Sequence, residues 1–247
     1  MGSPIQRQVS AGYEVFARYA FPPNELGYCG PADAEALLSE GSVAELASRA
    51  KEFDGAWPYL VALADATGVV DPLDAEVVRN YWVGGSLLKA VDSDALLSAL
   101  RTSFAGQVTG LLDALEPGQA LAHHSFHVFV VYPWIRFLDR NPTKPVQVMQ
   151  DCRIRWGTVQ SVAGDHVVID SRPLTFADGT LALGDPTPER VRWRKDGTSL
   201  APAPVPGQTV SAHWDWACGS IRDDEREALA TATQLSLDIV NAVRSRL

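Results

Sequence analysis

Cysteine is scarce in this chain: Cys29, Cys152 and Cys218 are the three it has in 247 residues. An odd, widely spaced set excludes a disulfide framework and leaves thiolate chemistry or plain burial. Positive charge is short as well, with 21 Lys and Arg against 30 Asp and Glu for a net charge of -9. A nucleic acid or an anionic membrane needs clustered Lys and Arg, so neither is an expected partner. Long apolar runs are missing, and the densest stretch, Val128 to Trp134, is broken by Pro133. It is far too short to span a bilayer, and no basic start with an apolar core and cleavage site is present, so the expectation is a cytoplasmic protein. Several catalytic signatures are also lacking. Gly84-Gly85-Ser86 has no following Lys or third Gly, and neither Gly-x-Ser-x-Gly nor His-Glu-x-x-His occurs.

What remains is a globular composition, 46% hydrophobic and 21% charged, in a chain long enough for two domains. From Ala11 to about Leu138 the apolar spacing is helical. Tyr13, Phe16, Ala17 and Ala20 lead a run that Pro22-Pro23 breaks, and Gly30-Pro31 starts another. Ser42 followed by Glu45 is a capping-box pattern. Helices are predicted at about Trp57 to Thr67, Pro72 to Trp82, Asp94 to Leu115 and Ala120 to Leu138, the last interrupted near Pro133. The polar, proline-bearing stretch Asp139 to Pro145 marks a boundary. Beyond it the period becomes strand-like at Ile154 to Val162, Val167 to Ile169, Val191 to Trp193 and Val210 to His213. Short strands with Gly164-Asp165, Asp178-Gly179 and Asp196-Gly197 turns suggest a small barrel. A final helix is predicted from about Asp223 to Arg244. The fold class is therefore α+β, with an all-α domain over 1–143 and a β domain with a terminal helix over 144–247.

Two groups of residues could carry chemistry. Cys152 and His213 offer a thiolate and an imidazole, both suited to a first-row metal. A small buried cysteine and a hydrogen-bonded strand histidine are the plain alternative. Cys218, five residues after His213, is a possible additional ligand. In the helical region, His123, His124 and His127 place two pairs at helical spacing, and Cys29 lies just before the turn at Gly30-Pro31. A helix start there would lower its thiol pKa. Cys29 with His123, His124 and His127 would form a metal- or thiol-dependent enzyme centre; ordinary hydrogen-bonded histidines and a tight turn explain the same residues. The aromatic series Phe126, Phe129, Tyr132, Trp134 and Phe137 reads as core.

The last 100 or so residues resemble the HypC/HupF-type chaperones of [NiFe]-hydrogenase maturation. Cys152, Gly157 and Val159 stand at the offsets of that family's opening motif. Gly207, Val210, His213 and Ala217 match its closing one, ahead of the charged helix start Arg222-Asp223-Asp224-Glu225. The chain departs from the pattern in three ways: Cys152 is not amino-terminal, Trp156 replaces the proline before the glycine, and Trp214-Asp215 replaces a small Val-Gly pair. The resemblance implies an OB-type β-barrel with a carboxy-terminal helix. It also implies a maturation chaperone and not an enzyme, handling an iron that bears cyanide and carbon monoxide through Cys152 and His213. Its partners would be a hydrogenase large subunit or a HypD-like scaffold, with any second metal in the helical domain undefined. A metal-free interaction protein is the remaining reading.

Overall fold

The computed structural model describes residues 4–38 and 42–247. The chain divides into two compact units, one comprising residues up to Gln107 with Leu115–His124, the other Val108–Ala114 with Ser125–Leu247. The division falls inside the short helix that opens at His124.

The first unit is helical: α1 (Pro4–Glu25), α2 (Val43–Lys51), α3 (Trp57–Thr67), α4 (Ala75–Trp82) and α5 (Ser93–Ser103). Its core is aromatic. Phe16 meets Phe53 edge-on at 5.2 Å between ring centroids, and Tyr19 stacks on Trp82 at 5.6 Å. Helix α2 opens on Ser42, whose Oγ accepts from the Glu45 N–H while the Glu45 carboxylate accepts from the Ser42 N–H, the expected capping box.

Three sequence expectations are corrected here. Helix α1 runs through Pro22 and Pro23 to Glu25, because burial of Phe21, Pro22, Pro23 and Asn24 holds its last turn in place. Among the described residues that follow Gly30-Pro31, ahead of α2, a three-residue 3-10 turn forms, Glu35–Leu37, and the helix end expected at Gly41 lies outside the described residues. Helix α5 stops at Ser103, and Gly106 with φ +79° turns the chain away, a conformation open to glycine.

A further correction concerns 120–138, expected as one helix. The segment enters helical geometry at His124 (α6, His124–Phe126), widens into a π-helical turn over His127–Val131 and ends at Tyr132. Tyr132 is extended because it precedes Pro133, and a 3-10 turn follows over Pro133–Phe137.

In the second unit α7 (Thr143–Cys152) leads into strands β1 (Arg155–Ala163), β2 (His166–Ser171), β3 (Leu174–Ala177), β4 (Thr180–Leu183), β5 (Thr187–Arg192), β6 (Arg194–Lys195), β7 (Thr198–Ser199), β8 (Thr209–His213) and β9 (Trp216–Ser220). Five of them pair in the order β1-β2-β5-β9-β8, and β8 also pairs with β1. The β5–β9 link is the thinnest, a single parallel pair of Arg192 with Trp216. Val159, Val167, Ile169, Val191, Val210, Ala212 and Ala217 form the core of this mixed sheet. Gly157 is required where β1 crosses β2, since a Cβ there would lie 2.4 Å from the Asp170 carbonyl oxygen. Helix α8 (Asp223–Arg244) closes the chain, pinned to the β3–β4 hairpin by Asn241, which exchanges two hydrogen bonds with the Leu181 backbone at 2.8 and 3.0 Å.

Candidate metal centre

Helix α7 ends at Cys152, and β8 ends at His213. Both positions are fixed by backbone. The Trp214 N–H donates to the Asp151 carbonyl at 2.7 Å, so the residue after the histidine is tied to the residue before the cysteine. Asp151 belongs to the last turn of α7, where carbonyls have no partner within the helix and accept from elsewhere. Trp214 turns the chain from β8 into β9 with φ +51°, a left-handed conformation uncommon for so bulky a residue. His213 is fully buried and Cys152 half-buried.

One ligand atom each from His124, Cys152 and His213 lie within 4.8 Å of one another. His124 reaches this group as the first residue of the helix that continues through Phe126 into the π-helical turn of the second unit. That helix is held by the Ser125 hydroxyl, 3.1 Å from the hydroxyl of Thr233 on α8. The hydrogen-bond pattern around His124 assigns its tautomer. Tyr81 donates its hydroxyl proton to the Gly55 carbonyl at 2.9 Å, so its oxygen, 3.1 Å from His124 Nδ1, accepts from that nitrogen. This leaves Nε2 with the lone pair, the arrangement in which one ring nitrogen is oriented by a neighbour and the other can ligate.

The donor set is one thiolate and two imidazoles, which suits Zn, Fe, Co or Ni and not the oxygen-seeking Mg or Ca. A cation held by sulfur at about 2.3 Å and nitrogen at about 2.0 to 2.1 Å spaces such atoms roughly 3.5 Å apart. The three atoms, within 4.8 Å of one another, stand close to that spacing, and the donor types fit a metal. Three protein ligands leave a coordination position for an exogenous group.

The other sequence candidates lie elsewhere. His123, beside His124, is fully buried; desolvation, then the neighbouring His124, push its pKa down to about 3, against a hydrogen bond to the Val83 backbone. It is therefore neutral at physiological pH. His127 stacks on Tyr132 at 6.2 Å. Cys218 is buried on β9 with its sulfur 3.8 Å from the Trp216 carbonyl oxygen. Cys29 is surface-exposed, and the turns after it offer no helix start to lower its pKa. Surrounding protein instead pushes that thiol up to about 12. The exposed surface of Cys29 does not match so large a desolvation, and among the described residues neither cation nor helix start is shown beside the thiol to activate it. Among the described residues, none of these four joins the group around Cys152.

Sequence reasoning missed Arg153, Arg155 and Glu189. Both arginines are 1% exposed, and Arg155 pairs with Glu189 at 2.7 Å. The available signal was two arginines flanking Ile154 at the start of a predicted strand.

No helix among the described residues is long and apolar enough to cross a membrane. Residues 8–247 match the model of a family of unknown function, DUF6390. No curated protein and no solved structure matches the chain.

Proposed function

For this chain, which belongs to the DUF6390 family, we propose an accessory role in [NiFe]-hydrogenase maturation, with Cys152 and His213 binding an iron-centre precursor or the metal-site cysteines of an immature large subunit. His124 supplies the third donor. The observation that carries this reading is the convergence of three metal-type ligands from positions 124, 152 and 213 on one point. Two of the three are the residues that the HypC-type motif spacing singles out, Cys152 ahead of Gly157 and Val159, and His213 between Val210 and Ala217.

The ring of short strands ahead of a terminal helix is compatible with the OB-type barrel of those chaperones. Iron bearing cyanide and carbon monoxide would be cargo, bound and passed on without turnover. A soft thiolate suits that iron, and an imidazole completes the grip or takes the proton that the thiol gives up on binding. The thin β5–β9 link and the half-buried Cys152 leave the cysteine edge of the sheet as the face for a HypD-like scaffold or a large subunit.

The test is complementation in a hydrogenase-making host whose own copy of this protein is deleted. Cys152→Ala and His213→Ala should each lower hydrogenase maturation at least tenfold while the proteins accumulate normally. Maturation at the wild-type level with both variants contradicts the reading, and so does a deletion strain that matures hydrogenase without this protein.

A further inference from the structure

Arg155 is among the largest fully buried side chains of the protein. A buried guanidinium is costly to desolvate, and an apolar residue of similar volume commonly stabilises a fold as well or better. A cation kept here therefore calls for an account from its contacts. All three arms of the fork are engaged, and what they engage is specific. Nη1 donates to the Gln150 carbonyl at 3.2 Å and to the Asp151 carbonyl at 2.9 Å, both in the last turn of α7. Nη2 donates to the Trp214 carbonyl, and Nε donates to Glu189 Oε1 at 2.8 Å. Glu189, on β5, accepts in turn from the Ser171 hydroxyl on β2.

One planar group therefore joins the residue before Cys152 to the residue after His213. It does so alongside the direct backbone bond from the Trp214 N–H to Asp151. The Glu189 and Ser171 anchors tie it to the middle of the sheet. The left-handed backbone of Trp214, uncommon for a bulky residue, is held on both sides by this arrangement. Lysine cannot replace it, because an ammonium is a compact point charge without the fork that spans three carbonyls and a carboxylate.

We propose that Arg155, anchored by Glu189, is a positioning residue that holds Cys152 and His213 at metal-binding separation without touching the metal. This rests on the metal reading above. The probe is Co2+ added anaerobically to the full-length protein, read by optical titration of the thiolate-to-cobalt charge-transfer band. The band reports the Cys152–metal bond itself, which loss of fold stability alone does not reshape. Arg155→Lys should raise the Co2+ Kd about 10- to 100-fold, the size of effect that partners of metal ligands produce, and should weaken and shift the band. Glu189→Gln, which keeps the volume and loses the charge, should do the same to a smaller degree. Arg194→Lys, at an exposed ion pair with Asp165, should leave both quantities unchanged. Wild-type Kd and band shape in Arg155→Lys overturn the proposal; should that variant not fold, the same result in Glu189→Gln overturns it. A wild-type protein that gives no cobalt band defeats the metal reading itself, and the positioning role with it.

Discussion

His213, Cys152 and His124 do different work although their ligand atoms share one point. Cys152 sits at the end of α7, whose last carbonyls are held by Arg155 and the Trp214 N–H, whereas His213 ends β8 beside the left-handed Trp214. His124 carries its second-nitrogen partner, Tyr81, with it. Substituting His124 with Ala should therefore weaken Co2+ binding at least tenfold, since loss of a ligand's outer partner alone costs about 10- to 100-fold. Substituting His127 with Ala should leave binding unchanged, because its ring stacks on Tyr132. Equal losses in the two variants would place the third ligand wrongly. The sequence made Cys152 and His213 readable because their neighbours stand at fixed motif offsets. It could not select among three clustered histidines, because helical spacing makes His123, His124 and His127 look interchangeable. The selection comes from where the helix begins and from the π-helical turn that carries His127 out of the usual three- and four-residue register.

Helices and strands with strong local signals formed as the pattern requires. Trp57–Thr67 and Asp223–Arg244 have the expected bounds, and the four expected strands correspond to β1, β2, β5 and β8, whereas β3, β4, β6, β7 and β9 were not expected. The Ser42–Glu45 capping box is such a signal and carries a pH dependence. The Ser42 backbone N–H, then its hydroxyl, hold the Glu45 carboxyl below its ordinary pKa. A group depressed on folding contributes stability above its unfolded pKa and loses it as pH falls through the folded one. A nuclear magnetic resonance titration should place the Glu45 midpoint below the usual glutamate range of about 4.3, and Ser42→Ala, which removes the hydroxyl but keeps the backbone N–H, should raise it part of the way back. An ordinary midpoint in the wild type would show that the box does not form in solution. Elements whose ends depend on tertiary contacts were not legible. Burial extends α1 through two prolines, and α5 ends at Ser103 rather than running on to Leu115. Helix α7, Thr143–Cys152, begins inside the stretch where proline and polarity read as a linker.

At the scale of the whole molecule, a helical unit and a mixed-sheet unit meet in sequence at His124 and Ser125. The sheet unit supplies the cysteine, the buried histidine and the Arg155 fork that joins their neighbours. Pairing between strands distant in sequence brings position 213 beside position 152, and no local pattern encodes that approach. The most direct measurement is metal analysis with infrared spectroscopy on the protein purified anaerobically from hydrogenase-making cells, as wild type and as Cys152→Ala. The expected result is bound iron with cyanide and carbon monoxide bands that disappear in the Cys152→Ala protein. A metal retained undiminished in that variant, or a wild type that carries neither metal nor bands, would contradict an iron-handling centre at Cys152 and His213.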